Sequence, residues 1–183
     1  MAKGKDIQLA RFISYVLRHV PSAANLSLDG NGWADVDQLI QGCVNAGYRL
    51  DRALLETIVK EDDKTRFSFD ENHLRIRANQ GHSVAVDLQF KNAIPPAVLY
   101  HGTAKRFMRS IEQNGLLKGS RQYVHLSADI KTAIKVGKRH GEPVVLCIDA
   151  EAMAKDGYVF YISENDVWLC EAVPTQYLKT EDL

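Results

Sequence analysis

Apolar residues recur along the first twenty positions at Leu9, Phe12, Ile13, Val16, Leu17 and Val20. This is the i, i+3, i+4, i+7, i+8, i+11 stripe of an amphipathic helix, and it predicts one near residues 6–20. At about 100° per residue, Arg11, Tyr15 and Arg18 fall on the opposite face and His19 at its edge. Pro21 stops the helix. Leu26-Ser27-Leu28 reads as a short strand, and Asp29-Gly30-Asn31-Gly32 as a turn. Asp35 and Asp51 stand where N-caps belong, ahead of helices carrying Val36, Leu39, Ile40, Cys43 and then Leu54, Leu55, Ile58, Val59, with Asn45–Tyr48 as the turn between them. Arg66–Phe69 and Leu74–Arg77 predict a hairpin around the loop Asp70–His73. Helix, strand, helix, helix, hairpin is the order of a winged-helix module.

The pattern changes after residue 83, and Ile94-Pro95-Pro96 interrupts any regular element. This sets the expected lobes at 1–93 and 94–183. In the second lobe Val98–Tyr100 predicts a strand opening into His101-Gly102-Thr103. A helix carrying Phe107, Met108 and Ile111 follows and ends at Gly115. Tyr123–Leu126 predicts a strand, Asp129–His140 a basic helix closed by Gly141, and Val144–Ile148 a buried strand. Tyr158–Ile162 and Val167–Val173 add two more strands. The expected class is α+β, with a sheet-rich second lobe.

Charge changes this picture locally. The 183 residues balance 23 Lys and Arg against 23 Asp and Glu, which gives no sign of a polyanion partner. Residues 101–140, however, hold nine Lys and Arg against two Asp and Glu, a net of +7; residues 141–183 hold two against nine, a net of −7. A compact basic segment points to a local anion site or to a solvated basic helix. Cys43, Cys147 and Cys170 are far apart and lack zinc spacing, so they are expected to be reduced thiols in a cytoplasmic protein with no metal site. No run approaches the roughly 20 apolar residues of a membrane span. The polar start MAKGKDIQLARF is not expected to act as a signal peptide.

Several positions carry candidate chemistry. Arg18-His19 ends a helix, where basic residues also suit the macrodipole. Arg66, Arg75 and Arg77 stand on the predicted hairpin, to touch phosphate oxygens or to guard an edge strand. Gln80-Gly81-His82-Ser83 is a small polar loop. His101-Gly102-Thr103 and His125-Leu126-Ser127 end two strands and together suggest a small-molecule cleft; the alternative is one histidine that caps a helix and another that packs on the sheet. There is no GxSxG, P-loop, zinc site or GxGxxG in a βαβ setting, which argues against a covalent hydrolase, a P-loop kinase and a Rossmann dehydrogenase.

Taken in order, a series of short segments resembles the tRNA 2'-phosphotransferase family (RNA 2'-phosphotransferases) over nearly the whole chain. These are Leu17-Arg18-His19; Lys64-x-Arg66-Phe67; Ile76-Arg77-Ala78-x-Gln80-Gly81-His82-Ser83; Tyr100-His101-Gly102-Thr103; Gly115-Leu116; Arg121-x-x-Val124-His125-Leu126-Ser127; Pro143–Leu146; and Val167-Trp168-Leu169. The resemblance implies an N-terminal winged-helix lobe and a C-terminal lobe of the ADP-ribosyltransferase type. It implies NAD⁺ as co-substrate and an RNA with an internal 2'-phosphate as partner, with no obligate protein partner and no membrane. In the implied reaction the 2'-phosphate attacks C1'' of the nicotinamide ribose and expels nicotinamide. The ribose 2''-hydroxyl then attacks that phosphate, leaving 2'-hydroxyl RNA and ADP-ribose 1'',2''-cyclic phosphate. The implied catalytic group is Arg18, His19, Arg66 and Arg121; the implied NAD contacts are His101, Gly102, Thr103, His125 and Ser127.

Elementary chemistry agrees with that assignment. The RNA phosphate is itself the first nucleophile, so no Ser or Cys nucleophile is required. Arginines hold phosphate bidentately and keep their charge. Arg18, Arg66 and Arg121 are expected to hold the phosphate, and His19 to activate or orient the ribose hydroxyl. Tyr123 departs from the family pattern, in which a histidine is expected: the aromatic ring is kept and the imidazole lost. The competing expectations are a transferase that caps terminal nucleic-acid phosphates, a protein-modifying transferase and a winged-helix DNA-binding regulator. An apolar residue near Val167, where protein-modifying transferases often hold a glutamate, disfavours protein acceptors. The poorly basic helix near 51–60 disfavours the regulator.

Overall fold

The computed structural model describes residues 2–181. The chain forms two compact units, Met1–Gln89 and Phe90–Leu183. Both combine helices with antiparallel sheets, so the class is α+β.

The first unit contains α1 (Ala2–Arg18), β1 (Ala34–Asp35), α2 (Val36–Asn45), α3 (Arg52–Lys60), β2 (Phe67–Phe69) and β3 (Arg75–Ala78). The apolar stripe of α1 points inward as its spacing requires: Leu9, Ile13, Val16 and Leu17 are buried, while Arg11 and Tyr15 are exposed. These side chains pack with Val36, Leu39 and Cys43 of α2, Leu55 of α3, Phe67 of β2 and Ile76 of β3. Asp35 and Asp51 cap their helices by accepting from the main-chain N–H of Gln38 and Leu54, each contribution being about 1 kcal/mol. The sheet order is β1-β3-β2, with Phe67–Phe69 against Ala78–Ile76 around the expected loop. Leu26–Leu28 is not a strand. Leu26 is buried in the helical core, and the chain forms its ladder only at Ala34–Asp35, against Ile76 and Arg75. An apolar-polar-apolar triplet fits irregular backbone draped on a core as well as it fits a strand.

The second unit contains β4 (Val98–Ala104), α4 (Met108–Asn114), β5 (Leu116–Leu117), β6 (Val124–Leu126), α5 (Ile130–Gly137), β7 (Pro143–Asp149), α6 (Ala150–Lys155), β8 (Tyr161–Ile162), β9 (Trp168–Cys170), β10 (Ala172–Val173) and β11 (Leu178–Glu181). They make sheets ordered β11-β7-β4 and β6-β9-β8 and a β5-β10 pair, around Leu99, Leu126, Leu146, Ile148, Met153 and Phe160. Asp129 and Asp149 cap α5 and α6. Three expectations shift here. The strand expected over 158–162 forms only at Tyr161–Ile162. The run 167–173 divides at Glu171, because Ala172–Val173 leaves β9 to pair with β5. His101-Gly102-Thr103 lies within β4 rather than beyond its end, since β4 pairs with β7 through Ala104.

Glycines set the close packing of this unit. A Cβ on Gly102 would lie 1.7 Å from the Ala133 carbonyl oxygen of α5, and one on Gly137 would lie 2.6 Å from that of Thr103. Helix α5 therefore rests directly on the β4 backbone, and ends at Gly137 rather than at the expected His140. Among the described residues no helix is long and apolar enough to cross a membrane.

Candidate active site

In the first unit, the C-terminal end of α1 meets a loop more than sixty residues away in sequence. The main-chain N–H groups of Ser83 and Val84 both donate to the Arg18 carbonyl, at 2.9 and 3.4 Å. His19 Nδ1 and Ser83 Oγ are 3.0 Å apart, which fixes the plane of the imidazole. Gly81 adopts φ +88°, a left-handed conformation that favours glycine, and a Cβ there would lie 3.8 Å from the Arg18 side chain. Gln80–Ser83, unremarkable as an isolated loop, is thus the seat of the Arg18-His19 pair.

His82 lies beneath this junction, 1 % exposed. Among the described residues neither ring nitrogen has a hydrogen-bond partner. Burial pushes its pKa down to about 4, and the positive charges of Arg18, His19 and Arg77 add to the effect. His82 is therefore a neutral imidazole at physiological pH.

Arg66 stands just before β2, and its direction is set by Asp62. The Asp62 carboxylate accepts from the Arg66 main-chain N–H at 2.6 Å, from the Lys64 N–H at 3.3 Å and from the Arg66 guanidinium. The other basic residues of the hairpin are committed elsewhere. Arg75 pairs with Asp70 at 3.1 Å and lies 3.6 Å from Asp29. The guanidinium of Arg77 lies 4.5 Å from the centre of the Trp33 ring. Of the two expectations for this hairpin, phosphate contact or charge guarding a strand, the carboxylate partners of Arg75 favour the second at that residue.

In the second unit the site is a split between two sheets. Tyr100 of β4 and Ser127 exchange both main-chain hydrogen bonds at 2.8 Å, and the pairing stops at that single bridge. Main-chain groups in an antiparallel strand alternate in direction. Because those of Tyr100 face away from β7, those of Gly102 do too, and the N–H and C=O of Gly102 open into the notch where β4 and β6 part. The carbonyl of His125, on the facing strand, is bound by His101 Nδ1 at 2.9 Å. A carbonyl only accepts, so Nδ1 carries the proton. Burial lowers the pKa of His101, with Arg121 and His140 adding to it against the opposing effect of the carbonyl. The ring is therefore held neutral, leaving Nε2 with a lone pair as an acceptor.

Arg121 precedes β6, with Nη1 3.4 Å from His125 Nδ1. Since a guanidinium only donates, that nitrogen of His125 is the acceptor. Arg121 is exposed at the surface, yet partial dehydration by the surrounding protein lowers its pKa. Thr103 is 5 % exposed, and its main-chain groups face β7. Among the described residues no cluster of His, Cys, Asp or Glu has the arrangement of a metal site.

The structure thus brings Arg18 and His19 together on one unit, which also carries Arg66. It brings His101, Gly102, Arg121 and His125 together on the other, with Ser127 at the bridge. Asp62 escaped sequence reasoning, as one acid in a charged run with nothing to single it out, and the burial of His82 within the polar loop 80–83 is betrayed by no local pattern.

Comparison with known proteins places these residues in context. Residues 4–172 match the family described as "RNA 2'-phosphotransferase, Tpt1 / KptA family". A protein of Fusobacterium nucleatum named "Probable RNA 2'-phosphotransferase" is 51% identical over 175 residues, covering 95% of this chain and 98% of its own. Proteins of the same name from Pseudomonas fluorescens (52% over 180 residues, covering 98% and 99%) and Trichormus variabilis (47% over 178 residues, covering 97% and 98%) are similarly matched from end to end.

Proposed function

The chain belongs to the RNA 2'-phosphotransferase, Tpt1 / KptA family, and on that premise we propose that it removes an internal 2'-phosphate from RNA by passing it to NAD⁺. The observation that carries the NAD⁺ reading is the opened ladder at Gly102. A main-chain donor and acceptor side by side suit the C=O and NH₂ of a primary carboxamide such as that of nicotinamide. The neutral Nε2 of His101 suits a ribose hydroxyl as donor. When bound, NAD⁺ supplies an electrophilic ribose carbon with nicotinamide as its leaving group.

The chain's own residues serve the phosphate. Arg18, Arg66 and Arg121 are each a permanent cation suited to the charge that a phosphate carries and redistributes as the RNA oxygen departs. His19, its plane fixed by Ser83, orients or accepts the proton of the attacking hydroxyl. His125 and Ser127 hold the edge of the notch. The helices and three-stranded sheet of the first unit support a winged-helix reading, and the split sheets of the second support an ADP-ribosyltransferase-like one. The three free cysteines support a reducing, cytoplasmic setting. A DNA-binding role is disfavoured because Arg52 of α3 is tied to Asp37 at 2.7 Å and to the His73 carbonyl at 2.9 Å, away from any base edge.

The test is to incubate the protein with NAD⁺ and a short RNA bearing one internal 2'-phosphate, following all products by mass spectrometry. Loss of the phosphate matched by ADP-ribose cyclic phosphate is expected, with turnover reduced at least a hundredfold in Arg66→Ala, about 3 kcal/mol of lost transition-state stabilisation. Phosphate loss without NAD⁺, or none at all, would refute the reaction.

A further inference from the structure

Next to the notch the second unit holds three aromatic rings outside its buried core. Tyr123 lies 5.9 Å from Phe90 and 5.4 Å from Tyr161 between ring centres, at interplanar angles of 70° and 61°; Phe90 and Tyr161 are 6.5 Å apart. All three are only half-buried, and none joins the cluster of core side chains around Leu99 and Phe160. Large aromatic side chains stabilise a fold mainly when buried. A trio held partly open at the surface contributes less to folding than the same rings in the core, and presents π-faces and edges to solvent.

The placement of the trio is specific. Tyr161 and His125 are both register partners of Leu169, so cross-strand alignment puts their side chains on one face of the β6-β9-β8 sheet. Arg121 reaches that face through His125, its Nη1 lying 3.4 Å from His125 Nδ1, and Tyr123 reaches it through its ring contact with Tyr161. A cation and a group of half-buried rings therefore gather around the same face of this sheet. Such a pair is complementary to a nucleotide, whose phosphate takes the guanidinium and whose base takes the rings. The notch at Gly102 is a separate feature, at the point where β4 parts from β6.

We propose that Phe90, Tyr123 and Tyr161 form a stacking subsite for a nucleobase of the RNA, beside Arg121. The proposal rests on the RNA 2'-phosphotransferase reading and deepens it. It makes the enzyme sensitive to the presence of a base near the phosphate while leaving it tolerant of which base is there, because every base has a π-face. It also gives Tyr123 a role that an imidazole at that position would fill less well, since the phenol ring offers the larger stacking surface.

The test pairs a substrate change with a protein change. RNAs bearing one internal 2'-phosphate are made with the normal base, or with an abasic site, at the phosphorylated nucleotide or at either neighbour. Binding without NAD⁺ and turnover with NAD⁺ are measured for the native protein and for Tyr123→Ala, Tyr123→Phe and Phe90→Leu. The native protein is expected to bind one of the abasic RNAs about tenfold more weakly. Tyr123→Ala is expected to show that loss with the normal RNA and no further loss with the abasic one, whereas Tyr123→Phe, which keeps the ring, binds like the native protein. NAD⁺ affinity in the absence of RNA serves as the second readout. Indifference of the native protein to every abasic site, with turnover intact, overturns the subsite alone. Additive losses, or a loss of NAD⁺ affinity in Tyr123→Ala with RNA affinity unchanged, also overturn it, the latter in favour of nicotinamide as the occupant. Absence of turnover on any phosphorylated RNA overturns the functional reading and the subsite with it.

Discussion

Asp62 and His82 show how residues outside the proposed phosphate-binding group prepare its surroundings. The Asp62 carboxylate joins two main-chain N–H groups and the Arg66 guanidinium in one loop. Asp62→Ala leaves those donors without an acceptor and should cost about 2 kcal/mol of stability; a urea midpoint measures it, and turnover should fall alongside as Arg66 loses its direction. His82 predicts a pH effect. Its pKa falls from 6.5 in the unfolded chain to about 4 in the folded one. The unfolded state therefore binds the extra proton between those values. Its contribution to stability is complete above about pH 6.5, declines as the pH drops, and has gone below about 4, a span of about 3 kcal/mol. In His82→Gln that part of the slope should vanish, so that urea midpoints at pH 7 and pH 4.5 lie closer together than in the native protein. An unchanged gap would mean that His82 is protonated in the folded state.

The elements divide into those a one-dimensional pattern can specify and those it cannot. α1 was legible because Leu9, Ile13, Val16 and Leu17 repeat at helical spacing, and α2, α3 and α5 because an aspartate marks each start. The hairpin was legible for the same local reasons. Leu26–Leu28 misled because burial alone does not make a ladder; β5 escaped, and β10 was read as the end of one longer strand, because a two-residue pair is chosen by its partner. The role of Gly102 was read only in part. Its proximity to a ligand was an expectation from the strand ending there, whereas the structure uses the missing side chain to seat α5 and leaves the main chain for the notch. Gly102→Ala should therefore destabilise the second unit by about 3 kcal/mol or more through overpacking. Thermal unfolding checks this, and a neutral outcome would mean that α5 can move off β4 at little cost.

Across the whole molecule, each unit has its own core, Leu9 to Ala78 in the first and Leu99 to Tyr177 in the second. A ligand that binds the notch stabilises the unit that forms it, by about 2.7 kcal/mol at a hundred times its Kd. Hydrogen exchange with saturating NAD⁺ and no RNA should accordingly slow amides in β4, β6 and α5 and leave those of α2 and α3 unchanged. Protection confined to the helices of the first unit would move the NAD⁺ site there. The balanced total charge conceals a segregation within the second unit: the +7 stretch supplies Arg121 and α5, while the acidic stretch that follows supplies β7, β9 and β11.

The cysteines offer a practical handle on that experiment. Cys43 and Cys170 are buried, and burial pushes both thiols up to about 12, far from the thiolate that alkylating reagents require. Cys147 is only partly buried, although its pKa is also raised. It sits on β7 directly across from Tyr100, the residue at which the two sheets of the second unit part company. A fluorophore coupled at mildly alkaline pH would attach to this thiol in preference to the others, with no residue replaced. The native chain thus carries its own reporter one strand behind the notch, and ligand entry becomes something that can be watched in real time.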